Sequence, residues 1–176
     1  IVAATWNVEL AFEQGKMVGN EGIWGNDRGD QAPYSGWYAP AVNIHRTPFS
    51  GRNWEYYSED GFLSGKMAAN VILGAKEKGV YTFIKHFAVN DQETNRDSNG
   101  LLTWLDEQTM REIYLKPFEM AVKEGKTTAI MSSFNRLGKV WAGGSYELLT
   151  EVLRNEWGFK GTVITDYNVY AHMPAD

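Results

Sequence analysis

Residues 80–87 of the chain read Val80-Tyr81-Thr82-Phe83-Ile84-Lys85-His86-Phe87. The run is almost continuously apolar and β-branched until its last residues, which is typical of a strand buried on both faces of a parallel sheet. Three further runs of this kind occur at residues 37–44, 128–133 and 161–165. Segments with helical periodicity separate the four runs. This alternation predicts repeated βα units and therefore an α/β fold.

The first connection between these strands predicts an amphipathic helix. Apolar side chains recur there every four residues, at Leu63, Met67, Val71 and Ala75. Gly79 follows at the point where a helix often ends in a left-handed residue. We therefore expect one helix between the first and second strands.

The later connections carry equally clear helix signals. Residues 106–123 predict a bent or double helix, because Pro117 can open a second helical segment but cannot continue the first. Ser145 is a candidate N-cap for a helix that ends near Trp157 and Gly158. These helices separate the second, third and fourth strands.

The opening segment also predicts a helix. Trp6, Leu10 and Met17 fall roughly on one face of such a helix. Residues 19–36 are rich in Gly, Asp and Asn and are expected to form a loop.

Repeated βα units with right-handed crossovers suit either an open doubly wound sheet or a closed (β/α)8 barrel. A closed barrel usually takes about 250 residues, whereas this chain has 176 residues and four predicted strands. Neither end carries a signal-peptide pattern or a capped helix. The motifs described below favour the barrel. We thus expect residues 1–176 to form part of one incomplete TIM-barrel-like domain, with about four parallel strands and flanking helices.

The composition excludes several classes of function. The chain carries 17 Lys and Arg residues against 22 Asp and Glu residues, a formal charge of −5, which argues against nucleic acid as a partner. No apolar run approaches the roughly 18 residues of a membrane span. The chain has no cysteine, which excludes disulfides and thiolate metal sites but leaves both a cytoplasmic and an exported location open.

Polar residues follow each predicted strand. Asp166 comes after the fourth, Lys85 and His86 end the second, and Ser132 to Arg136 and His45 to Glu55 follow the third and first. Reactive groups in α/β folds gather at the carboxyl ends of strands. Taken singly, each has an ordinary explanation, such as a turn-forming aspartate or a lysine that reaches water.

Together, four segments resemble glycoside hydrolase family 3 in order and spacing, over about residues 36–167. They are Ser50-Gly51-Arg52-Asn53-Trp54-Glu55 with Ser58-Glu59-Asp60; Lys85-His86-Phe87 with Asn90-Asp91-Gln92-Glu93-Thr94-Asn95-Arg96; Met131-Ser132-Ser133-Phe134-Asn135; and Glu156-Trp157-Gly158-Phe159-Lys160-Gly161 leading to Thr165-Asp166-Tyr167.

The resemblance implies a retaining β-glucosidase with a role for each matching residue. Asp166 is the implied nucleophile, which forms a glycosyl-enzyme intermediate that water then hydrolyses. Arg52, Lys85 and His86 are implied to bind hydroxyls of the sugar, and Arg96 to lie near the nucleophile. The implied ligand is a β-glucoside, or a β-xyloside, or a short β-linked oligosaccharide, with no cofactor and no metal.

The resemblance also implies a cis peptide between Lys85 and His86, and it has two departures. Phe134 stands where many family members place a Tyr near the nucleophile, so its expected role is packing against the sugar or Asp166 rather than hydrogen bonding. Tyr167 stands where the family often has Trp. In the family, the acid/base Glu comes from a later domain. The expected partners therefore include the missing barrel strands and the C-terminal domain of the same enzyme, and no glutamate of this chain is assigned the acid role.

Four alternatives stay open at this stage. The β-N-acetylglucosaminidases are another branch of the same family. Membership of that branch is disfavoured, because its Asp-Ser-His signature is absent after His86. A non-catalytic sugar-binding or scaffolding piece would keep the same cations. An open doubly wound cofactor domain has only Gly143-Gly144-Ser145 to support it. Asp27 and Asp30 are weak evidence for a Ca²⁺ site.

Overall fold

The computed structural model of the chain describes residues 1–25, 33–96 and 101–167. Its strands are, in chain order, β1 (Gly36–Trp37), β2 (Tyr81–Phe87), β3 (Leu102–Thr103), β4 (Ala129–Ser132), β5 (Arg136–Leu137), β6 (Val140–Trp141) and β7 (Thr162–Thr165). Its helices are α1 (Val8–Trp24), α2 (Gly61–Glu77), α3 (Glu107–Thr109) and α4 (Lys116–Lys123), with π-helical hydrogen bonding at Met110–Tyr114 and Glu147–Glu156 and 3₁₀ turns at Val2–Thr5 and Ala142–Gly144.

The main sheet has the order β1-β2-β4-β7, and every neighbouring pair in it is parallel. The predicted α/β class is confirmed. The strands predicted at residues 80–87, 128–133 and 161–165 are present with slightly narrower bounds. Crossover helices between successive strands cover the sheet, as parallel pairing requires.

The first predicted strand, residues 37–44, is shorter than expected. Regular pairing with β2 ends at Trp37, since Pro40 has no N–H to donate to a ladder. The chain nevertheless stays beside β2, because Lys85 N donates to Pro40 O at 3.0 Å and Val42 N donates to Lys85 O at 2.9 Å. Residues 38–44 are thus an irregular continuation of β1.

The predicted helices are confirmed at all three connections. Asp60 caps α2 by accepting hydrogen bonds from the backbone N–H groups of Phe62 and Leu63. The second connection is bent at Leu115, immediately before α4. In the third, Ser145 Oγ accepts from Leu148 N at 3.2 Å, as the capping prediction requires. Both helix-ending glycines predicted from the sequence have positive φ angles.

The main core lies between the sheet and its crossover helices. Its largest fully buried side chains come from strands β2 and β4, from α2 and α4, and from the segments beside them. They include Val42, Ile72, Ile84, Phe87, Phe118, Ile130 and Leu153. This packing makes the strands a rigid base for the loops at their carboxyl ends.

Helix α1 exists as predicted, and its buried face consists of small residues. Trp6, Leu10 and Met17 are exposed, and the helix continues to Trp24 instead of giving way to a loop at residue 19. Its buried residues are Ala11, Gly15, Gly19 and Gly22. Small residues allow the backbones of α1 and α2 to approach closely, and this requirement outweighs the burial of large side chains.

A second, small sheet lies after β2. It contains β3 parallel to β5, and β5 antiparallel to β6. Trp141 at the end of β6 donates from Nε1 to Ser133 O at 3.1 Å. The small sheet thereby fixes the loop that follows β4.

Asp91 ties together the segments that follow β1 and β2. Its Oδ1 accepts a hydrogen bond from Ile44 N. Burial raises the pKa of Asp91 to about 7, although that hydrogen bond and the positive charge of Arg46 lower it in part. The buried carboxyl is therefore a titrating link between two loops.

Among the described helices, none is long and apolar enough to cross a membrane. The weak Ca²⁺ hypothesis at Asp27 and Asp30 concerns residues outside the described ranges.

We predict that Gly15→Ala destabilises the fold. An added Cβ would lie 2.1 Å from Val71 O, so α1 must move away from α2. The free energy of unfolding should fall by about 1–3 kcal/mol in chemical denaturation. Asn20→Ala, on the exposed face of the same helix, is the control and should change it by less than about 0.5 kcal/mol. Equal stability of the two variants would contradict the close helix contact.

We also predict that Asp91→Asn alters how stability depends on pH. The carboxyl of Asp91 titrates near pH 7 in the folded chain, against about 4 in an unfolded chain. Between these values the folded state holds a proton that the unfolded state releases. The free energy of unfolding therefore falls as pH rises through this window, by on the order of 1 kcal/mol per pH unit.

Asparagine has no carboxyl to titrate but keeps an oxygen for Ile44 N. Thermal unfolding of both proteins at about pH 5 and about pH 8 should thus show the wild type losing Tm relative to the variant as pH rises. A Tm difference that does not change with pH would contradict the raised pKa of Asp91.

Candidate active site

The predicted site residues meet at the carboxyl ends of β2, β4 and β7. Lys85 and His86 lie near the end of β2, Phe134 follows β4, and Asp166 follows β7 directly. Asp166 N donates to Ser132 O at 3.2 Å, which continues the pairing of β7 with β4 by one residue. The parallel sheet therefore brings residues 80 positions apart to one edge, as the sequence analysis predicts.

The two side-chain oxygens of Asp166 have different partners. Oδ1 accepts from Tyr167 N at 2.7 Å. Oδ2 accepts from Arg96 Nη1 at 3.3 Å and lies 3.6 Å from His86 Nε2. The side chain is only 14% exposed. Its carboxylate is thus held in a fixed orientation while one small part of it stays open to solvent.

His86 is neutral in this environment. It is 2% exposed, and burial lowers its pKa well below the usual value, with the positive charges of Arg52, Lys85 and Arg96 adding to the effect. The contact with Asp166 is therefore not an ion pair.

The tautomer of His86 follows from its neighbours. Asn43 is oriented by the His86 backbone, since its Nδ2 donates to His86 O at 3.0 Å and its Oδ1 accepts from His86 N at 2.9 Å. The same Oδ1 lies 3.3 Å from His86 Nδ1, which must then carry the proton. Nε2 is left to accept from Arg52 Nη1 at 3.3 Å.

Glu55 links two of the predicted sugar-binding cations. Its Oε2 accepts from Arg52 Nε at 2.8 Å and from Arg52 Nη2 at 2.5 Å. Its Oε1 lies 3.0 Å from Lys85 Nζ. Burial alone would raise the pKa of Glu55, but the hydrogen bonds from Lys85 and Arg52 outweigh it and lower the pKa. Glu55 is therefore an anion between two cations.

Glu93 makes the corresponding link on the other side of Arg52. Its Oε2 lies 2.7 Å from Arg96 Nε, and its Oε1 lies 3.7 Å from Arg52 Nη1. Burial raises the pKa of Glu93 despite the opposing charges of Arg96 and Arg52. Glu93 thus supports Arg96 in its contact with Asp166.

Phe134 closes the cluster against its apolar surroundings. Its side chain is buried, and the Arg96 guanidinium lies 4.6 Å from its ring centroid. The aromatic ring therefore packs on the cation that contacts Asp166, whereas packing on the sugar or on Asp166 itself stays a prediction.

The structure brings all six predicted site residues into one connected cluster. They are Arg52, Lys85, His86, Arg96, Phe134 and Asp166. The peptide between Lys85 and His86 is cis, as the resemblance implies. Sequence reasoning missed the bridging role of Glu55, although Arg52 and Glu55 stand three residues apart in the same quoted segment.

Within residues 1–25, 33–96 and 101–167, no three His, Asp or Glu side chains are grouped to hold a metal ion.

Sequence and structure comparisons identify the family of the chain. The sequence profile described as "Glycosyl hydrolase family 3 N terminal domain" matches residues 2–174. Beta-glucosidase A of Butyrivibrio fibrisolvens is 41% identical over 167 residues, which are 95% of this chain and 19% of that protein. An exo-alpha-(1->6)-L-arabinopyranosidase of Bifidobacterium longum is 39% identical over 94% of this chain and 21% of its own length.

Among solved structures, beta-glucosidase 3B from Thermotoga neapolitana in complex with glucose superposes with a TM-score of 0.85 and 44% identity. The match covers 93% of this chain and 22% of that one. The chain thus spans about a fifth of the length of its relatives, and its parallel strands correspond to part of a TIM barrel. The open cofactor-binding alternative is not supported. The chain belongs to glycosyl hydrolase family 3, whose N-terminal domain its residues 2–174 match.

Proposed function

We propose that this chain carries the nucleophile and the sugar-binding cations of a retaining β-glucosidase. The observation that supports this most is the position of Asp166, whose Oδ2 lies 3.3 Å from Arg96 in a cluster with two further cations. A carboxylate fixed at the carboxyl end of a strand and oriented by an arginine suits attack on an anomeric carbon.

In the proposed reaction, Asp166 Oδ2 bonds to the anomeric carbon while the bond to the leaving oxygen breaks. A carboxylic acid protonates that oxygen. A water molecule then gives a proton back to the resulting carboxylate as it attacks the anomeric carbon, and the bond to Asp166 breaks to release its carboxylate. Two inversions give retention. Arg96 stabilises the carboxylate before attack and after release. Neutral His86 orients the sugar without adding a charge beside Asp166.

We assign the acid/base role to a glutamate outside these residues. Glu55 has both oxygens on cations and a lowered pKa, which opposes proton donation. Glu93 has a raised pKa, but its oxygens face Arg96 and Arg52. The rest of the barrel and a C-terminal domain of the same enzyme are the proposed partners that supply the acid.

The proposed substrate is a terminal β-D-glucosyl group, with β-xylosyl as the second choice. Arg52 and Lys85 present N–H donors that suit several hydroxyls of one ring. Relatives named beta-glucosidases, and a similar structure with bound glucose, support glucose first.

A second candidate function is sugar binding without catalysis. The same cations favour it, because hydroxyl recognition needs no acid. A covalent intermediate on Asp166 distinguishes the two functions.

We predict that Asp166→Asn abolishes covalent labelling in the full-length protein. A 2-deoxy-2-fluoro-β-glucoside should label the wild type on Asp166, as mapped by mass spectrometry, and the variant should lose kcat by about 1,000-fold or more. Asp106→Asn is the matched control, because Asp106 is an exposed helix cap and Asn caps equally well. Labelling of another residue, or binding without labelling, would sink the assignment of Asp166.

We predict that residues 1–176 alone hydrolyse aryl β-glucosides far more slowly than the full-length enzyme. The loss of rate should be large for leaving groups that need protonation. It should be smaller for dinitrophenyl glucosides, because dinitrophenolate departs as a stable anion. Circular dichroism checks that the piece is folded. Turnover near that of the full-length protein would show that the acid lies within these residues.

A further inference from the structure

We infer that Glu55 is a positioning residue that holds Arg52 and Lys85 in the geometry needed to bind a neutral sugar, an inference that rests on the proposed glycosidase function. Neither cation is a rigid group by itself. Lys85 has a flexible four-carbon stem, and Arg52 sits on a loop that follows the irregular part of β1. Glu55 is the group that connects them.

The two oxygens of Glu55 bind different cations. Oε2 binds the Nε and Nη2 edge of Arg52 at 2.8 and 2.5 Å, and Oε1 binds Lys85 Nζ at 3.0 Å. Because the guanidinium is planar, fixing that edge also fixes its third nitrogen, Nη1. One carboxylate therefore sets the position of two cations from different segments.

The orientation of Arg52 extends to His86. With its other edge held by Glu55, Arg52 Nη1 lies 3.3 Å from His86 Nε2 and 3.7 Å from Glu93 Oε1. Glu55 thus influences three of the groups proposed to contact the sugar.

The low solvent exposure of these three side chains makes loss of the Glu55 carboxylate unfavourable. The side chains of Arg52, Glu55 and Lys85 are 18%, 19% and 16% exposed. Without the carboxylate, two partly buried cations would face each other with little water between them. Both would then move apart or recruit another anion, and the sugar-binding geometry would change.

The charges also indicate which sugars fit. The cluster contains three cations, Arg52, Lys85 and Arg96, and three carboxylates, Glu55, Glu93 and Asp166, so their formal sum is zero beside a neutral His86. A neutral glycosyl group suits that balance. Removing the charge of Glu55 leaves one positive charge in excess, which favours an anionic sugar acid.

The test uses the full-length enzyme and three variants, Glu55→Gln, Glu55→Asp and Glu59→Gln. The inhibition constants of glucose and of glucuronate are measured together with kcat and KM for an aryl β-glucoside. Glu55→Gln should weaken glucose binding and raise KM by about 10- to 100-fold, with a smaller loss in kcat. The ratio of glucuronate to glucose affinity should rise by about 10-fold, because attraction of the sugar carboxylate replaces neutral binding.

Glu55→Asp keeps the charge with a shorter reach, so it should restore the wild-type preference for glucose over glucuronate while KM stays raised. Glu59→Gln changes an exposed glutamate of the same segment and should leave all constants unchanged. If Glu55→Gln does not fold, the Glu55→Asp result decides, since a wild-type KM in that variant would overturn the inference.

Other outcomes separate the positioning role of Glu55 from the proposed glycosidase function. Wild-type glucose affinity in Glu55→Gln would overturn the positioning role, as would equal losses for glucose and glucuronate accompanied by a lower Tm. If the wild type is not labelled by a 2-deoxy-2-fluoro-β-glucoside, the glycosidase proposal fails whatever Glu55 does. If it is labelled and Glu55→Gln behaves as wild type, only the positioning role fails.

Discussion

Parallel pairing of β2, β4 and β7 is the constraint on which the site depends. The register places Phe87 beside Ser132, and Ser132 beside Thr165. The residues next to these positions therefore emerge at the same edge of the sheet, although they are far apart in the chain. A slip of one residue between β4 and β7 would turn Thr165 to the opposite face and carry Asp166 with it.

Bringing so many charges to one edge creates a second requirement, which is that their signs alternate. Along the ion pairs of the cluster the order is Lys85, Glu55, Arg52, Glu93, Arg96 and Asp166. Each cation has an anion beside it, so no partly buried charge is left uncompensated. The cost of this arrangement is that the glutamates are committed to structure, which separates them from the chemistry proposed for Asp166.

Much of this organisation was predictable from the sequence. Strands buried on both faces appear as continuous apolar runs, and polar residues follow where each strand ends. The cations and Asp166 were predicted from quoted motifs that lie at those ends. The buried face of α1 was not, since hydrophobic periodicity favours large side chains and Gly15 gives no hydrophobic signal. The sheet of β3, β5 and β6 has strands of two residues, too short for an alternating pattern.

Glu55 was missed for a different reason, which concerns how acidic residues are interpreted. A retaining glycosidase needs a second carboxyl group as an acid, and the sequence alone offers no sign of any other role for a glutamate near the motifs. A carboxylate can instead act by fixing its neighbours. His86 also acts by contacting its neighbours and not as a charged group. Burial among cations keeps it neutral, and its Nε2 accepts from Arg52. A cluster with three cations, three carboxylates and one neutral imidazole can then hold an uncharged ring, while Asp166 has one oxygen fixed by the backbone N–H of Tyr167 and the other beside Arg96.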